Sequence, residues 1–240
     1  MEADKVPSVG RNGAEGVPRY TVPEAAHHVR MSPSTLQTWI SGRAYEVASG
    51  SQWWNGLIER PDPGDSRLSF SNLIEAYVLN ALRKNFNVPV PAIRTAIIDA
   101  EKYYEIPHFL RSEQLRAAGG NVYLEHLGKL INVGRGRQDA MPEILDEYLK
   151  RIEWSTAGFA TRLFPVTRAA PNPAVSPHVV LIDPYLAFGR PVVRSKAIKT
   201  ATISERFVLG ESVLALAEDY DLEISEVEEA IRYERRALAA

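Results

Sequence analysis

The chain has 240 residues, with 28 basic and 30 acidic side chains, and 45% of the residues are hydrophobic. This length and composition predict two compact globular units. The absence of cysteine excludes disulfides, thiolate nucleophiles and zinc sites with cysteine ligands. No apolar run approaches the roughly 18 residues of a membrane span, and the start has no apolar leader, so we expect a cytoplasmic protein.

Charge is distributed unevenly along the C-terminal part of the chain. Residues 211–234 carry nine carboxylates against Arg232 alone, a net charge of −8. Residues 188–206 carry five cations against Glu205 alone, a net charge of +4. Because cations supply the attraction to phosphates and carboxylates repel them, the acidic segment favours a protein partner over nucleic acid.

Composition also divides the chain into segments. Residues 1–18 are rich in glycine and proline without apolar periodicity, which predicts a disordered tail. A proline-rich linker is predicted at 165–177, where four prolines favour extended chain. It separates a larger unit, 19–164, from a C-terminal unit, 178–240.

Two short helices are predicted after the tail. Thr21 and Glu24 have the spacing of a capping box, in which each side chain bonds the backbone of the other residue. Ser32 followed by Pro33 is typical of an N-cap with proline in the first helical position. With only the turn 29–31 between them, these helices predict a helix-turn-helix.

The rest of the larger unit combines helices with small hairpins. Alternating residues and turn signals between 43 and 70 predict a hairpin in the position of a wing. Helical spacing follows Ser71, resumes after Pro89 and returns at 141–154. A hairpin is predicted at 121–133, and residues 159–166 are predicted to form a strand.

The C-terminal unit is predicted to be a short strand followed by helices. Residues 178–182 are apolar and end at Asp-Pro, and helices are predicted at 202–208, at 212–220 and from Ser225 onwards. The last two helices form a second helix-turn-helix pattern. The fold class is therefore mainly α with small β hairpins: an N-terminal winged helix-turn-helix, a helical middle and a C-terminal helix-turn-helix domain.

The sequence resembles known families in two places. Residues 20–60, which begin YTVPEAAHHVRMSPSTLQTWISGR, resemble the winged helix-turn-helix of MerR-like proteins. Residues 178–233 resemble a small helical domain found in antitoxins that pair with PIN-like ribonuclease toxins. With LSFSNLIEAYVLNALR at 68–83, the whole ordered chain resembles a VapB-type antitoxin of the larger kind with a MerR-like head.

This resemblance implies operator DNA as one partner. The polar side chains that face outward from the second helix of the pair are candidates for contacts in the major groove. MerR-like proteins commonly place arginine at the positions of Ser34 and Gln37, so phosphate attraction must come from cations elsewhere or from a second subunit. The candidate DNA-binding residues are Arg30, Ser34, Gln37, Thr38, Arg43, Gln52 and Asn55. Trp53 and Trp54 point to opposite faces of a hairpin, and we expect both to have structural roles.

The resemblance also implies a PIN-like toxin ribonuclease as a partner. A PIN-like active site groups carboxylates around Mg²⁺, and an inserted guanidinium would neutralise them and displace the metal. The candidate toxin-binding residues are Arg190, Arg194, Lys196 and Lys199. Surface solvation is the alternative for Arg194, and an internal bond to Asp183 is the alternative for Arg190. The run from Arg194 to Thr200 departs from the Gly-Thr-Arg-Ile-Pro-Thr usual in that domain.

No catalytic residue, metal site or cofactor is predicted. The sequence lacks a phosphate loop, a Gly-x-Ser-x-Gly elbow and a His-Glu-x-x-His motif. His27 and His28 point about 100° apart on a helix and cannot chelate one metal, so we expect surface or packing roles. The carboxylates of the acidic segment are interpreted as the solvated face of a helix.

The interpretation is a homodimeric antitoxin that represses its own operon and neutralises a toxin. The dimer is expected because a single short recognition helix without arginine contacts too few phosphates. One alternative is a MerR-like regulator that responds to a small ligand, with residues 73–148 enclosing an apolar pocket. A second alternative is a structural adaptor without DNA affinity.

Overall fold

The computed structural model describes residues 13–47, 50–86, 88–105, 108–115, 135–168 and 173–235. Over these ranges the chain is mainly helical with small antiparallel strand pairs, which confirms the predicted fold class. Most of the predicted tail and the predicted hairpin at 121–133 lie outside the described residues. None of the described helices is long and apolar enough to cross a membrane.

The N-terminal part contains five described helices and two hairpins. The helices are α1 (Val22–Val29), α2 (Pro33–Ser41), α3 (Phe70–Phe86), α4 (Val90–Tyr104) and α5 (Arg135–Leu149). The strands are β1 (Arg43–Val47) paired with β2 (Gly50–Trp54), and β3 (Ile152–Trp154) paired with β4 (Ala160–Leu163). The first hairpin has the position of the predicted wing.

Helix α3 lies at the centre of the larger core. Its side chains are buried around most of its circumference, because apolar residues follow one another with few polar interruptions. The helix packs against α1 and α5. Its buried apolar side chains are Phe70, Leu73, Ile74, Ala76, Tyr77, Val78, Leu79, Ala81 and Leu82. The two short N-terminal helices therefore pack, through α1, on a buried helix.

Two predicted boundaries in this part were wrong. The predicted cap Ser71 lies inside α3, and Ser69 takes the capping position, with its Oγ accepting from the Asn72 amide at 3.2 Å. The helix predicted at 141–154 ends at Leu149, and Ile152 begins a strand. The chain turns there because the Arg151 carbonyl accepts from the Phe164 amide at 2.8 Å, which closes a hairpin instead of another helical turn.

A single buried arginine holds the proline-rich segment. Arg151 is 1% exposed, and its guanidinium donates to five backbone carbonyls. Its Nε bonds the carbonyl of Phe164 at 2.7 Å, and its Nη atoms bond those of Pro165, Pro173, Ser176 and Pro177 at 2.8 to 3.3 Å. A guanidinium has five N–H donors, so this set of acceptors matches its full capacity. Both described ends of the segment are therefore fixed to the N-terminal part.

The C-terminal part forms a small sheet and three helices around a second core. Strands β5 (Val180–Leu181), β6 (Val192–Val193) and β7 (Ile198–Lys199) are antiparallel, and they precede α6 (Thr200–Val208), α7 (Val213–Tyr220) and α8 (Ile224–Arg235). Helices α7 and α8 form the predicted second helix-turn-helix. The core beneath them contains Val193, Ile203, Leu216, Ala217, Leu222, Val227, Ala230 and Ile231.

Candidate functional site

The first helix of the N-terminal pair begins as predicted. The Glu24 carboxylate accepts from the Thr21 amide at 2.8 Å, and Thr21 Oγ1 accepts from the Glu24 amide at 3.4 Å, which completes the capping box. Helix α1 ends at Val29, and the next residue, Arg30, caps it in a left-handed conformation with φ of 62°. The Arg30 amide donates to the carbonyls of Ala26 and His27. This turn directs the chain into α2.

The second helix presents the expected polar face. Ser32 caps it by accepting from the Thr35 amide at 3.2 Å, and Leu36 and Trp39 anchor it in the core. Ser34 and Gln37 are exposed, whereas Thr38 is half-buried. Gln37 Nε2 donates to Ser41 Oγ at 2.6 Å, and Thr38 Oγ1 donates to the Ser34 carbonyl at 3.0 Å. Ser34 and Gln37 can therefore approach another molecule without unfolding the helix.

The two tryptophans of the wing lie on opposite faces of the hairpin, and only Trp54 has the predicted structural role. Trp53 is 63% exposed, so the structural prediction for this residue was wrong. Trp54 is half-buried, and the Arg94 guanidinium lies 6.0 Å from its ring centroid. Adjacent strand residues point to opposite faces, so the contact of Trp54 with α4 directs Trp53 into solvent.

A small groove runs between the recognition helix α2 and the wing. It encloses about 170 Å³, and three predicted DNA-binding residues lie along it: Thr38, Arg43 and Asn55. Arg83 and Arg94 also line it. Arg94 donates to the Asn55 carbonyl and fixes the end of the wing, a role that the sequence analysis missed. Nothing local in the sequence connects it with a hairpin about forty residues earlier.

Another predicted DNA-binding residue, Arg30, lies away from this groove. Arg30 Nε donates to the Val166 carbonyl at 2.8 Å, and its guanidinium lies 5.4 Å from the Tyr233 ring centroid. Arg30 thus faces the C-terminal part of the chain. The side chain of Gln52 lies outside the described residues.

The two adjacent histidines join the first helix to the last. The Tyr233 hydroxyl lies 2.6 Å from Nδ1 of the buried His28, and the His27 ring packs edge-on against Tyr233 with 4.9 Å between centroids. Burial lowers the pKa of His28 to about 3. Burial and the neighbouring Arg30 lower the pKa of His27 to about 4. Both residues therefore pack as neutral side chains, in agreement with the predicted packing role.

Residues 188–206, which we call the basic stretch, form contacts within the chain. Arg190 pairs with Glu24 on α1 and Lys196 pairs with Asp221. The Arg194 guanidinium lies 5.3 Å from the Phe164 ring centroid. Lys199 is exposed at the start of α6. Of the four predicted toxin-binding cations, three thus contact groups of this chain.

Asp183, the alternative partner considered for Arg190, pairs with Arg162 at 2.9 Å instead. Strands β6 and β7 lie within the basic stretch, and they hold its backbone in an antiparallel hairpin. The stretch is therefore part of the sheet rather than a free loop.

A left-handed turn lies beside these cations. Ala187, Phe188 and Gly189 have successive φ values of 47°, 56° and 76°. The Tyr20 hydroxyl donates to the Gly189 carbonyl at 3.0 Å and occupies the space of a Cβ, so only glycine fits there. Phe188 is 85% exposed at the tip. Positive φ at non-glycine residues is strained, so the fold stabilises this turn through Tyr20.

One carboxylate of the acidic segment is interior rather than solvated, which corrects the sequence interpretation. Glu229 is 1% exposed and accepts from Thr167 Oγ1 at 2.6 Å and from Arg168 Nε at 2.7 Å. Arg232 also pairs with it. A buried carboxylate requires such partners, and two of the three, Thr167 and Arg168, come from the segment before the sheet. The outward charge of α8 is therefore smaller than the sequence count indicates.

Comparison with known proteins places a helix-turn-helix in the N-terminal part. Residues 18–97, which include α1, α2 and the wing, match a sequence family described as "Putative DNA-binding HTH domain". Residues 180–233, which include the small sheet and its three helices, match a family described as "Protein of unknown function (DUF433)". The chain thus combines a helix-turn-helix region with a second, separately recognised region.

One relative matches most of the chain. Over 231 residues the chain is 27% identical to "Putative antitoxin VapB45" of Mycobacterium tuberculosis (strain ATCC 25618 / H37Rv), covering 90% of this chain and 93% of that protein. The crystal structure of Rv2018 from Mycobacterium tuberculosis has a TM-score of 0.63 at 24% identity, covering 90% of this chain and 98% of that one. The first similarity relates the chain to a protein described as a putative antitoxin, and the second supports the fold.

Proposed function

We propose that this protein is the antitoxin of a toxin-antitoxin pair. It binds operator DNA as a homodimer through α2 and the wing, represses its own operon in the cytoplasm, and neutralises a PIN-like ribonuclease through residues 178–240. The observation that carries this proposal is the similarity to an antitoxin, which covers both the helix-turn-helix and the C-terminal part. No catalytic role is proposed for any residue.

The geometry of the N-terminal pair supports the DNA-binding half of the proposal. Ser34 and Gln37 are exposed on α2, which Leu36 and Trp39 anchor from behind. Arg43 and Asn55 line the adjoining groove, where a cation and an amide can contact phosphates. This arrangement of a polar helix beside a wing is the one that a MerR-like head uses.

The experiment measures two activities of the full chain. A gel-shift titration tests binding to the DNA upstream of its own gene, and an RNA-cleavage assay tests inhibition of the protein encoded next to it. We expect binding that weakens with added salt and inhibition at about one to one. A chain that neither shifts the upstream DNA nor inhibits the neighbouring protein contradicts the proposal.

A cavity that could hold a small ligand favours a second candidate function, that of a MerR-like regulator that responds to such a ligand. The described part of 73–148 packs tightly around α3, but a cavity of about 960 Å³ lies between α1 and the C-terminal part. Its lining includes His27, Lys84, Lys199 and Glu234. In this alternative, an anionic metabolite changes DNA affinity and the neighbouring gene encodes no nuclease. Gel shifts with and without cell metabolites separate the two functions.

A further inference from the structure

An exposed apolar corner joins the first two helices of the C-terminal part. We call residues 207–214, from the end of α6 to the start of α7, the α6–α7 corner. Val208 is 67% exposed, Leu209 84% and Leu214 56%. Single exposed apolar residues are common on protein surfaces, but three large ones at one corner form a patch of the kind that marks interaction sites.

The corner is held in one shape before any partner arrives. Arg206 Nε donates to Glu211 at 2.6 Å, and Arg206 also pairs with Asp219, so one guanidinium ties α6 to the turn and to α7. Ser212 caps α7 by accepting from the Ala215 amide at 3.1 Å. Gly210 completes the turn with φ of 103°. A fixed patch loses little conformational entropy on binding.

Two half-buried side chains join the corner to the core below it. Phe207 and Val213 flank the exposed residues and pack against the cluster that contains Leu216. The exposed set is therefore the outer surface of an ordered helix pair. An apolar centre on a rigid support is the usual form of a binding hot spot.

Most of the charges around the corner are negative, and Arg235, which lies 5.2 Å from the Phe207 ring centroid, is an exposed cation beside them. Glu205 lies one helical turn before Leu209, and Glu218 lies one turn after Leu214 on the same face. Both are exposed, and Arg206 is already engaged by Glu211 and Asp219. A second copy would bring carboxylates against carboxylates, and phosphates would meet the same repulsion. The surface therefore suits a protein whose own patch is apolar at the centre and basic at the rim.

We propose that the α6–α7 corner is the docking surface for the neutralised toxin, and that the toxin presents an apolar patch with a basic rim. This inference rests on the proposed function and changes the surface assigned to it. The basic stretch is a weaker docking surface, because binding there must first break the pairs of Arg190 with Glu24 and of Lys196 with Asp221. Within the part of the chain that the structure describes, no ion pair covers Val208, Leu209 or Leu214.

The test compares full-length variants that differ in one exposed apolar side chain. Leu209→Ser and Leu214→Ser alter the corner, and Phe188→Ser is the matched control, since Phe188 is as exposed as Leu209 but lies in the left-handed turn. Binding to the adjacent-gene protein is measured by titration calorimetry, with circular dichroism to verify folding. We expect each corner variant to bind roughly thirty-fold more weakly and the control to bind like the parent.

Charge variants test the predicted chemistry of the partner. Glu218→Lys is expected to slow association severalfold, and Arg194→Glu, in the basic stretch, is expected to leave the affinity unchanged. Corner variants that bind like the parent overturn the inference, as does a loss of binding confined to Arg194→Glu or equal in Phe188→Ser. A parent dimer that Leu209→Ser converts to monomers overturns it in favour of a second copy. A parent that fails to bind the adjacent-gene protein contradicts the proposed function itself.

Discussion

The Tyr233 hydroxyl on the last helix and Nδ1 of His28 on the first helix share a buried hydrogen bond of 2.6 Å. This bond spans almost the whole chain and attaches the helix-turn-helix to the C-terminal part. Arg30 strengthens the same contact from the turn after α1, where its guanidinium lies over the Tyr233 ring. The two regions that the comparisons recognise separately are therefore in direct contact.

The buried histidines predict a loss of stability in mild acid. The folded-state pKa values of His27 and His28, about 4 and about 3, lie below the ordinary value of 6.5, so protonation favours the unfolded chain. The histidine contribution is present above pH 6.5, and the fully buried His28 alone lowers the free energy of unfolding by on the order of 3 kcal/mol between pH 6.5 and 4, a fall to which His27 adds. Denaturant titrations across this range measure the change. His27→Gln/His28→Gln removes most of this slope, whereas His108→Gln, at a partly exposed histidine, retains it.

Alanine substitutions on α2, the helix proposed to contact DNA, are expected to lower DNA affinity specifically. Ser34→Ala and Gln37→Ala each remove an exposed polar group from α2 and should weaken operator binding by about 1 to 3 kcal/mol. Leu36 and Trp39 keep the helix in place, so the melting temperature should not change. Gel-shift titrations measure the affinity, with Ser225→Ala on α8 as the matched control. Equal affinity of both variants and the parent excludes α2 as the reading helix.

Substitutions of the two wing tryptophans are expected to have different effects, one on DNA affinity and the other on stability. Trp53→Ala removes an exposed ring and should weaken DNA binding while the melting temperature stays constant. Trp54→Ala removes the ring that packs against Arg94 and should lower the free energy of unfolding by about 2 kcal/mol. Fluorescence-monitored denaturation and gel shifts on both variants separate the effects. Loss of stability in Trp53→Ala would place that ring in the core.

Replacement of Arg151 is expected to lower the free energy of unfolding strongly. Arg151→Met keeps the length but leaves five buried carbonyls without a donor, which should cost about 3 kcal/mol or more. Arg151→Lys supplies at most three donors and should restore only part of this loss. Arg162→Met is the control, because Arg162 is half-exposed and donates to two carboxylates, those of Glu153 and Asp183, rather than to a set of buried carbonyls, so its loss should be smaller. Chemical denaturation measures all three, and equal losses in Arg151→Met and Arg162→Met would contradict the role of the buried guanidinium.

Homodimer formation is the remaining prediction. A single α2 with serine and glutamine in place of arginine makes few phosphate contacts, and two copies on a symmetric operator double them. Sedimentation velocity at micromolar concentration should show a dimer, and the operator should require two half-sites. A monomer in the presence and absence of DNA contradicts this prediction.

The local signals of the sequence correctly predicted the starts of α1 and α2. Thr21 with Glu24 and Ser32 with Thr35 form bonds within four residues, so the pattern that predicts them is complete in a short window. The same reasoning explains the exposure of Ser34 and Gln37, because helical periodicity alone turns them roughly 200° and 100° away from Leu36.

Long-range partners could not be predicted in this way. Arg190 pairs with Glu24 across most of the chain, and Glu229 is buried because Thr167 and Arg168 reach it from before the sheet. A charge count treats such residues as solvated, since nothing in their own segment identifies the partner. The sequence therefore predicted a surface role for side chains that hold the fold together.

The contact between Tyr20 and Gly189 restricts how the protein can vary. The hydroxyl of Tyr20 lies 2.5 Å from the position of a Cβ at residue 189, and the backbone there has φ of 76°. A larger residue at 189 would expel the tyrosine, and a smaller residue at 20 would leave the left-handed turn without its donor. Changes at these two positions therefore depend on each other, and the N-terminal and C-terminal regions of such a chain must evolve as a matched pair.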